Sequence, residues 1–210
     1  MKKIDWRLYV ITDASLSRGR SHSEAAALAL EGGAGVIQLR DKELPAGRLI
    51  EEGRKIAALA REKEALFIVN DRLDVAMALR AEGVHLGQED LPLSLARKVA
   101  GPEMIIGATV RSPEQARLAQ EAGADYLGAG AVFPSTTKSS APVIGLDNLR
   151  EIKKAVSIPV VAIGGISMEN ISRVMEVGAD GAAIVSAVVG AQDIRGQARK
   201  FKLIWQDLQG

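Results

Sequence analysis

EAGADYLGAG, residues 121–130, contains a pattern typical of alternating helices and strands: the end of a helix, a glycine and then an apolar strand. Three stretches repeat this order, namely EGGAGVIQ from residue 31, AEGVHLG from residue 81 and EVGADGAA from residue 176. Glycine in the left-handed conformation ends a helix, so we expect this corner at Gly32, Gly83, Gly123 and Gly178. The repeat predicts helices that each lead directly into a strand.

Short apolar runs rich in valine and isoleucine alternate with longer amphipathic segments along the whole chain. Because the runs are apolar on both faces, they are typical of parallel strands covered on each side. We place strands at residues 8–12, 35–40, 66–70, 83–87, 104–109, 125–130, 159–163 and 181–185. The helical segments between them include 21–31, which starts with a capping box at Ser21 and Glu24, and 45–63 and 112–123.

Alternating strands and helices imply a parallel sheet with right-handed crossovers. Eight such units in 210 residues predict an α/β protein of the (β/α)8 TIM-barrel class, with one domain over residues 1–210. The alternative is an open, doubly wound sheet. The absence of a Gly-x-Gly-x-x-Gly stretch after the first strand argues against that alternative.

Composition excludes several classes of function. Lys and Arg number 27 against 26 Asp and Glu, and aromatic residues make up 3%, so neither nucleic acid nor a membrane is an expected partner. No cysteine is present, which excludes disulfides, thiolate metal sites and a thiol nucleophile. Since no apolar run approaches the ~20 residues of a membrane helix and no targeting segment is evident, we expect a cytoplasmic protein. The sequence leaves open whether it forms a homo-oligomer.

Polar residues follow seven of the eight predicted strands. In a (β/α)8 barrel these positions meet at one rim, where the active site lies. Taken alone, Asp71 or Asp90 has the simpler interpretation of a helix cap, and His85 that of a hydrogen-bonded core residue. Their coincidence at one rim favours a functional site. The stretches are residues 38–42, 70–71, 85–90, 109–111, 133–138, 163–166 and 185–187.

The rim residues divide into two predicted anion sites. Gly164 and Gly165, with Val185 and Ser186, occupy the loops after strands seven and eight, where barrels commonly bind phosphate. The second site combines cations and an amide with two carboxylates, which suits a diphosphate and Mg²⁺. Its members are Arg40, Lys42, Asn70, Asp71, Asp90 and Lys138. Two facing phosphate sites suggest a reaction that joins two small phosphorylated substrates.

Together these motifs resemble the thiamine phosphate synthase family from Leu8 to Ser186. The resemblance is carried by Gln38-x-Arg40-x-Lys42, Asn70-Asp71, His85-x-Gly87-Gln88-x-Asp90, residues 134–138, Gly164-Gly165-Ile166 and Val185-Ser186. It implies a Mg²⁺-dependent transferase of thiamine biosynthesis. The enzyme would couple 4-amino-2-methyl-5-(diphosphooxymethyl)pyrimidine with 4-methyl-5-(2-phosphooxyethyl)thiazole, or its 2-carboxylate, and release pyrophosphate.

The resemblance also implies roles for individual residues. Arg40, Lys42, Thr109 and Lys138 would be catalytic, and Asp71 and Asp90 would bind the metal. The pyrimidine diphosphate would lie against Gln38, Leu39, Arg40, Asp41, Lys42, Asn70, Thr109 and Lys138. The thiazole phosphate would lie against Ser135, Thr136, Thr137, Gly165, Val185 and Ser186. The chain departs from the family pattern at Thr109, where serine is usual, and at Ser135, where threonine is usual.

Three other functions remain as alternatives. A related thiazole tautomerase is expected to carry a histidine in a Gly-His-Val-Phe stretch, where this chain has Ala131. A non-catalytic, phosphate-binding regulator would have no need of the carboxylate pair Asp71 and Asp90. A sugar-phosphate epimerase or a phosphoribosyl isomerase would leave the basic cluster beside that pair unexplained.

Overall fold

The computed structural model describes residues 4–134 and 142–207. Eight parallel strands pair in chain order and close into a barrel, because β8 pairs with β1. The strands are β1 (Leu8–Ile11), β2 (Val36–Leu39), β3 (Leu66–Asn70), β4 (Gly83–Leu86), β5 (Ile105–Val110), β6 (Tyr126–Gly130), β7 (Val160–Ile163) and β8 (Gly181–Ile184). The predicted (β/α)8 barrel is confirmed, and each strand lies where the sequence predicted it, within a residue or two.

Helices follow the strands and cover the outside of the barrel. In the described residues they are α1 (His22–Glu31), α2 (Ala46–Glu62), α3 (Leu73–Leu79), α4 (Leu93–Ala100), α5 (Pro113–Glu121), α6 (Gly145–Ala155), α7 (Ile171–Glu176), α8 (Ser186–Val189) and α9 (Ile194–Asp207). The capping box predicted at Ser21 and Glu24 is present at the start of α1. No helix in these described ranges is long and apolar enough to cross a membrane.

Two of the four predicted left-handed glycine corners are wrong. Gly123 and Gly178 have the expected positive φ, of +93° and +85°. Gly32 has a φ of −78°, and the next residue, Gly33, takes the left-handed conformation instead. Gly83 lies inside β4, because α3 already ends at a left-handed Arg80. A Cβ at Gly83 would lie 2.4 Å from the carbonyl oxygen of Ile105, so glycine is required there for close strand contact.

The barrel strands separate two apolar layers. Side chains such as Val10, Ile37 and Phe67 pack outward against the helices. The alternate positions, which include Tyr9 and Tyr126, pack together inside the barrel. Because side chains alternate along a strand, every second residue points into the barrel. Near the carboxyl ends of the strands, several of these inward-pointing residues are polar. The functional site is built on this alternation.

Candidate active site

A cavity of about 440 Å³ opens at the carboxyl ends of the strands. Every strand, or the loop directly after it, contributes to its lining. One lining residue from each of the eight, in chain order, is Ile11, Gln38, Asn70, His85, Thr109, Gly130, Ile163 and Ser186. The cavity therefore lies at the rim where the sequence predicted the polar residues to meet.

The predicted diphosphate cluster lies together on one side of this cavity. Arg40, Lys42, Asn70, Asp71 and Asp90 all line it. The Nη1 atom of Arg40 lies 3.3 Å from a carboxylate oxygen of Asp13, and Lys42 Nζ lies 3.6 Å from Asp71 Oδ2. The two cations are thus held at the cavity by carboxylates while part of each side chain stays exposed.

Asp71 has a strained backbone that fixes its carboxylate in the cluster. Its φ of +59° is rare for a residue other than glycine, and its N–H donates to the carbonyl oxygen of His85 over 2.8 Å. Such outliers cluster at functional sites. The neighbouring Asp90 is held by the backbone N–H of Gly87, which lies 2.6 Å from Oδ2. Neither aspartate caps a following helix, since α3 and α4 have Arg72 and Pro92 at their N-cap positions.

The two carboxylates are close enough to disturb each other electrostatically. Burial raises the pKa of Asp71, and a hydrogen bond and the negative charge of Asp90 raise it further, while Lys42 opposes both effects. Two like charges held together at a cavity wall suit a divalent cation, which would turn their repulsion into attraction. No group of three or more metal-binding side chains occurs in the part of the chain that the structure describes. A cation at this pair would therefore complete its coordination with substrate oxygens or water.

A glycine loop forms the other side of the cavity. Gly164 and Gly165 have φ of +96° and +64°, and Val185 and Ser186 line the cavity beside them. A Cβ at Gly165 would lie 2.3 Å from the carbonyl oxygen of Pro134, so glycine allows this loop to pack directly on the segment after β6. Asn170 Nδ2 donates to the carbonyl oxygen of Gly165 over 2.9 Å and anchors the loop.

Other predicted site residues lie elsewhere. Leu39 is 1% exposed and packs in the outer layer against the helices. Asp41 Oδ2 lies 3.0 Å from Nε2 of the buried His22, and its Oδ1 accepts the N–H groups of Glu43 and Leu44. Burial alone would raise the pKa of Asp41, but these hydrogen bonds lower it. Both side chains support the loop that carries Arg40. The remaining predictions, Ser135, Thr136, Thr137 and Lys138, lie outside the described residues.

Sequence reasoning placed His85 and Arg111 at the rim without a binding role and did not place Tyr9 or Tyr126 there, yet all four line the cavity. The available signal was strand alternation, which places residues two apart on the same face of a strand. Tyr9 precedes Ile11 by two residues, and Thr109 precedes Arg111 by two residues. The Nε atom of Arg111 is buried without a hydrogen-bond partner among the described residues. His85 has partners on both ring nitrogens, as expected of a core histidine, but it also contributes to the cavity wall.

The closed barrel and the polar cavity at its carboxyl end place the chain among the (β/α)8-barrel enzymes. A family model described as thiamine monophosphate synthase matches residues 8–188. A thiamine-phosphate synthase from Moorella thermoacetica is 50% identical over 198 residues, which cover 94% of each chain. The solved structure of a thiamine phosphate pyrophosphorylase from Pyrococcus furiosus superposes with a TM-score of 0.92 at 47% identity and covers 99% of this chain and 98% of its own.

These comparisons agree with one another along nearly the whole chain. A second relative, the thiamine-phosphate synthase of Pyrococcus furiosus, is 49% identical over 97% of both sequences. The chain belongs to the thiamine monophosphate synthase family.

Proposed function

We propose that the protein is a thiamine-phosphate synthase. It transfers the pyrimidine group of 4-amino-2-methyl-5-(diphosphooxymethyl)pyrimidine to 4-methyl-5-(2-phosphooxyethyl)thiazole, or to the 2-carboxylate of that thiazole, and releases pyrophosphate. When the carboxylate is the acceptor, CO₂ is released as well. The observation that carries the proposal is one cavity with a cluster of cations and carboxylates on one side and a glycine loop on the other. Two facing sites of this kind suit a reaction between two phosphorylated substrates.

The diphosphate would bind on the side formed by β2, β3 and β4. Arg40 and Lys42 are the described cations of that side, with Asn70 as a hydrogen-bond donor. We propose that Lys138, which lies outside the described residues, adds a third cation. Charged donors form the strongest hydrogen bonds to phosphate oxygens, and Arg40 offers several in one plane.

Mg²⁺ would be held by Asp71 and Asp90. The fit rests on the raised pKa of Asp71, to which the neighbouring carboxylate contributes, and on the hard oxygen donors of the pair. When bound, the ion would supply positive charge that stabilises the departing diphosphate. Lys42 is a described cation that offsets the carboxylate of Asp71.

The thiazole phosphate would bind at the opposite side. Gly165 and Ser186 are placed there by the loops after β7 and β8, where backbone N–H groups can approach phosphate oxygens. Val185 continues the same wall. We propose that Ser135, Thr136 and Thr137, outside the described residues, complete this site with hydroxyl donors.

The proposed reaction needs charge stabilisation and alignment more than proton transfer. The bond between the pyrimidine methylene carbon and the diphosphate oxygen breaks, and the diphosphate leaves with the electron pair. The thiazole nitrogen then donates its lone pair to the resulting carbocation, which forms the new carbon–nitrogen bond. Arg40, Lys42 and Lys138 would stabilise the leaving charge, and Thr109 would contact the pyrimidine substrate. The barrel would hold the two reacting atoms in line.

We propose that the enzyme works in the cytoplasm, where both charged substrates would be retained because phosphate esters do not cross a bilayer unaided. The tautomerase alternative expects a histidine at the position of Ala131, which has no ionisable group. Neither nucleic acid nor a membrane has a place in the proposed reaction.

The proposal is tested by comparing Asp90→Asn with Asp74→Asn in an assay that contains both substrates and Mg²⁺. Asp74 is an exposed aspartate that pairs with Arg72 near the same rim, so it is a matched control. We expect Asp90→Asn to lose at least about 100-fold in turnover, because a leaving diphosphate depends on fixed positive charge. Asp74→Asn should turn over at the wild-type rate. Equal turnover by the two variants would contradict the assigned metal site.

A further inference from the structure

A continuous chain of hydrogen bonds crosses the interior of the barrel beneath the cavity. Gln38 Nε2 donates to Tyr9 Oη over 2.7 Å, and Tyr9 Oη lies 2.9 Å from Tyr126 Oη. Tyr126 Oη lies 2.9 Å from His85 Nδ1, and His85 Nε2 lies 3.0 Å from Thr109 Oγ1. The chain therefore joins two predicted binding residues, Gln38 and Thr109, through three residues to which the proposed function assigns no role.

Two glycines make room for the rings in this chain. Gly107 is the register partner of both His85 and Tyr126, and a Cβ on it would lie 2.2 Å from the Tyr126 ring. A Cβ on Gly128 would lie 2.9 Å from Cε1 of His85. Trp6 packs on the other side of Tyr126 with ring centroids 4.5 Å apart. The rings are thus held in place by packing on several sides, and the hydrogen bonds between them are geometrically fixed.

The direction of every hydrogen bond follows from its first donor. A side-chain NH₂ group has no usable lone pair to offer, so Tyr9 accepts from Gln38. The buried Tyr9 hydroxyl has only Tyr126 as a further side-chain partner among the described residues, so its own O–H points to Tyr126. Tyr126 accepts that hydrogen bond and donates its O–H to Nδ1 of His85. A neutral imidazole that accepts at Nδ1 carries its proton on Nε2, which donates to Thr109 Oγ1. The hydroxyl proton of Thr109 is then left to point away from His85.

The neutral form of His85 is the one that this direction requires. An imidazolium would bring an N–H from Nδ1 against a Tyr126 hydroxyl that already accepts from Tyr9, and the Tyr126 proton would be left without an acceptor. Burial raises the pKa of Tyr126, so its hydroxyl stays protonated.

We propose that Tyr9, Tyr126 and His85 are positioning residues. They determine whether Gln38 and Thr109, at the two ends of the hydrogen-bonded chain, present a donor or an acceptor to the pyrimidine substrate. Thr109 presents a hydroxyl donor to an acceptor atom of that substrate. Gln38, whose Nε2 is engaged by Tyr9, presents its amide oxygen to a donor such as an exocyclic amine. This inference rests on the proposed function for the identity of the ligand, whereas the direction of the chain is a property of the protein alone.

The direction of the hydrogen bonds is tested first, by nuclear magnetic resonance of the protein without any substrate. The protein has two histidines, so the ring signals of His85 are identified by their loss in His85→Gln. Proton–nitrogen correlation spectra distinguish the two neutral tautomers directly. We expect the neutral ring of His85 to be protonated at Nε2 and bare at Nδ1. A proton on Nδ1 in the wild-type protein would overturn the proposal.

The effect on the substrate is tested with a double-mutant cycle between Tyr126→Phe and Thr109→Val. Each change removes one hydroxyl, and each should raise the KM for the pyrimidine diphosphate by up to about tenfold, the worth of one neutral hydrogen bond. If Tyr126 acts through Thr109, adding Tyr126→Phe to Thr109→Val produces no further rise. Independent, multiplicative effects would indicate a structural role for Tyr126 and overturn the proposal. Thr109→Ser should restore the wild-type KM and its sensitivity to Tyr126→Phe.

The two experiments separate this inference from the proposed function. If the wild-type enzyme forms no thiamine phosphate, the proposed function fails, but the tautomer of His85 still tests the direction of the hydrogen bonds. If the enzyme is active but the cycle is additive, the proposed function stands and the positioning role fails. Tyr9→Phe provides a second break in the chain at a residue farther from His85, and it should reproduce the kinetic effect of Tyr126→Phe.

Discussion

The substitution Gly165→Ala tests whether the loop after β7 forms part of the thiazole phosphate site. Gly165 has a φ of +64°, and its Cβ would lie 2.3 Å from the carbonyl oxygen of Pro134 and 2.8 Å from the carbonyl carbon of Phe133. Relief of these contacts requires backbone to move by about 1 Å, since ordinary contacts begin at 3.4 Å. The loop would have to shift away from the segment that follows β6.

The expected magnitude combines two costs. A non-glycine residue in the left-handed region costs about 1–2 kcal/mol, and forcing additional volume into a packed region costs about 1–3 kcal/mol. We therefore expect Gly165→Ala to lower the free energy of unfolding by about 2–5 kcal/mol. A 1 Å misplacement of binding groups lowers catalytic efficiency by up to about 100-fold, so kcat/KM for the thiazole phosphate should fall by more than about tenfold.

Gly178→Ala is the matched control for this prediction. Gly178 has a φ of +85° but no atom within 4 Å of its Cβ position, so the control carries the conformational cost alone. Urea denaturation gives both free energies, and steady-state kinetics with each substrate varied in turn gives the KM values. If the two variants lose the same stability and keep the same KM for the thiazole phosphate, the close approach of the Gly165 loop has no role in binding.

Two further predictions concern charged groups. Burial and the neighbouring Asp90 raise the pKa of Asp71, so Asp71→Asn should abolish turnover without lowering the melting temperature in a metal-free buffer. A marked loss of stability would contradict the repulsion between the two carboxylates. Burial alone would raise the pKa of Asp5, but hydrogen bonds from Arg7 and Lys202 outweigh it and lower the pKa to about 2. Because a lowered carboxylate pKa stabilises the fold above the ordinary value of 3.8, this contribution is lost as the pH falls towards 2. The melting temperature of Asp5→Asn should fall less over that interval than that of the wild type, and parallel curves would contradict the assignment.

The barrel was predictable because its signal is repeated. Each strand is an apolar run of a few residues, and the alternation with helices leaves few topologies to consider. The corner glycines were predicted less well, because a glycine after a helix has two uses that look the same in sequence. Gly123 ends a helix in the left-handed conformation, whereas Gly83 provides space for the adjacent strand. Space of that kind depends on register, which a single stretch of sequence does not reveal.

The candidate site was predictable at the positions where polar side chains interrupt the ends of apolar strands. Arg40, Asp71 and Asp90 were found in this way, and the structure brings them to one cavity. Tyr9 and Tyr126 were not found, because an aromatic residue in a strand is ordinarily part of the apolar core. Their role in the hydrogen-bonded chain follows from distances between β1 and β6, strands that are not neighbours in the barrel. Such contacts require the closed barrel to be known.

The most direct test of the proposed synthase activity is the reaction itself, run with the purified wild-type protein, both phosphorylated substrates and Mg²⁺. Thiamine phosphate and pyrophosphate are measured in the same samples, with control reactions that lack one substrate or contain a chelator. We predict that the two products appear in equal amounts, and that neither appears when either substrate is omitted. If the wild-type protein binds both substrates but forms neither product, or releases pyrophosphate without forming thiamine phosphate, it is not a thiamine-phosphate synthase.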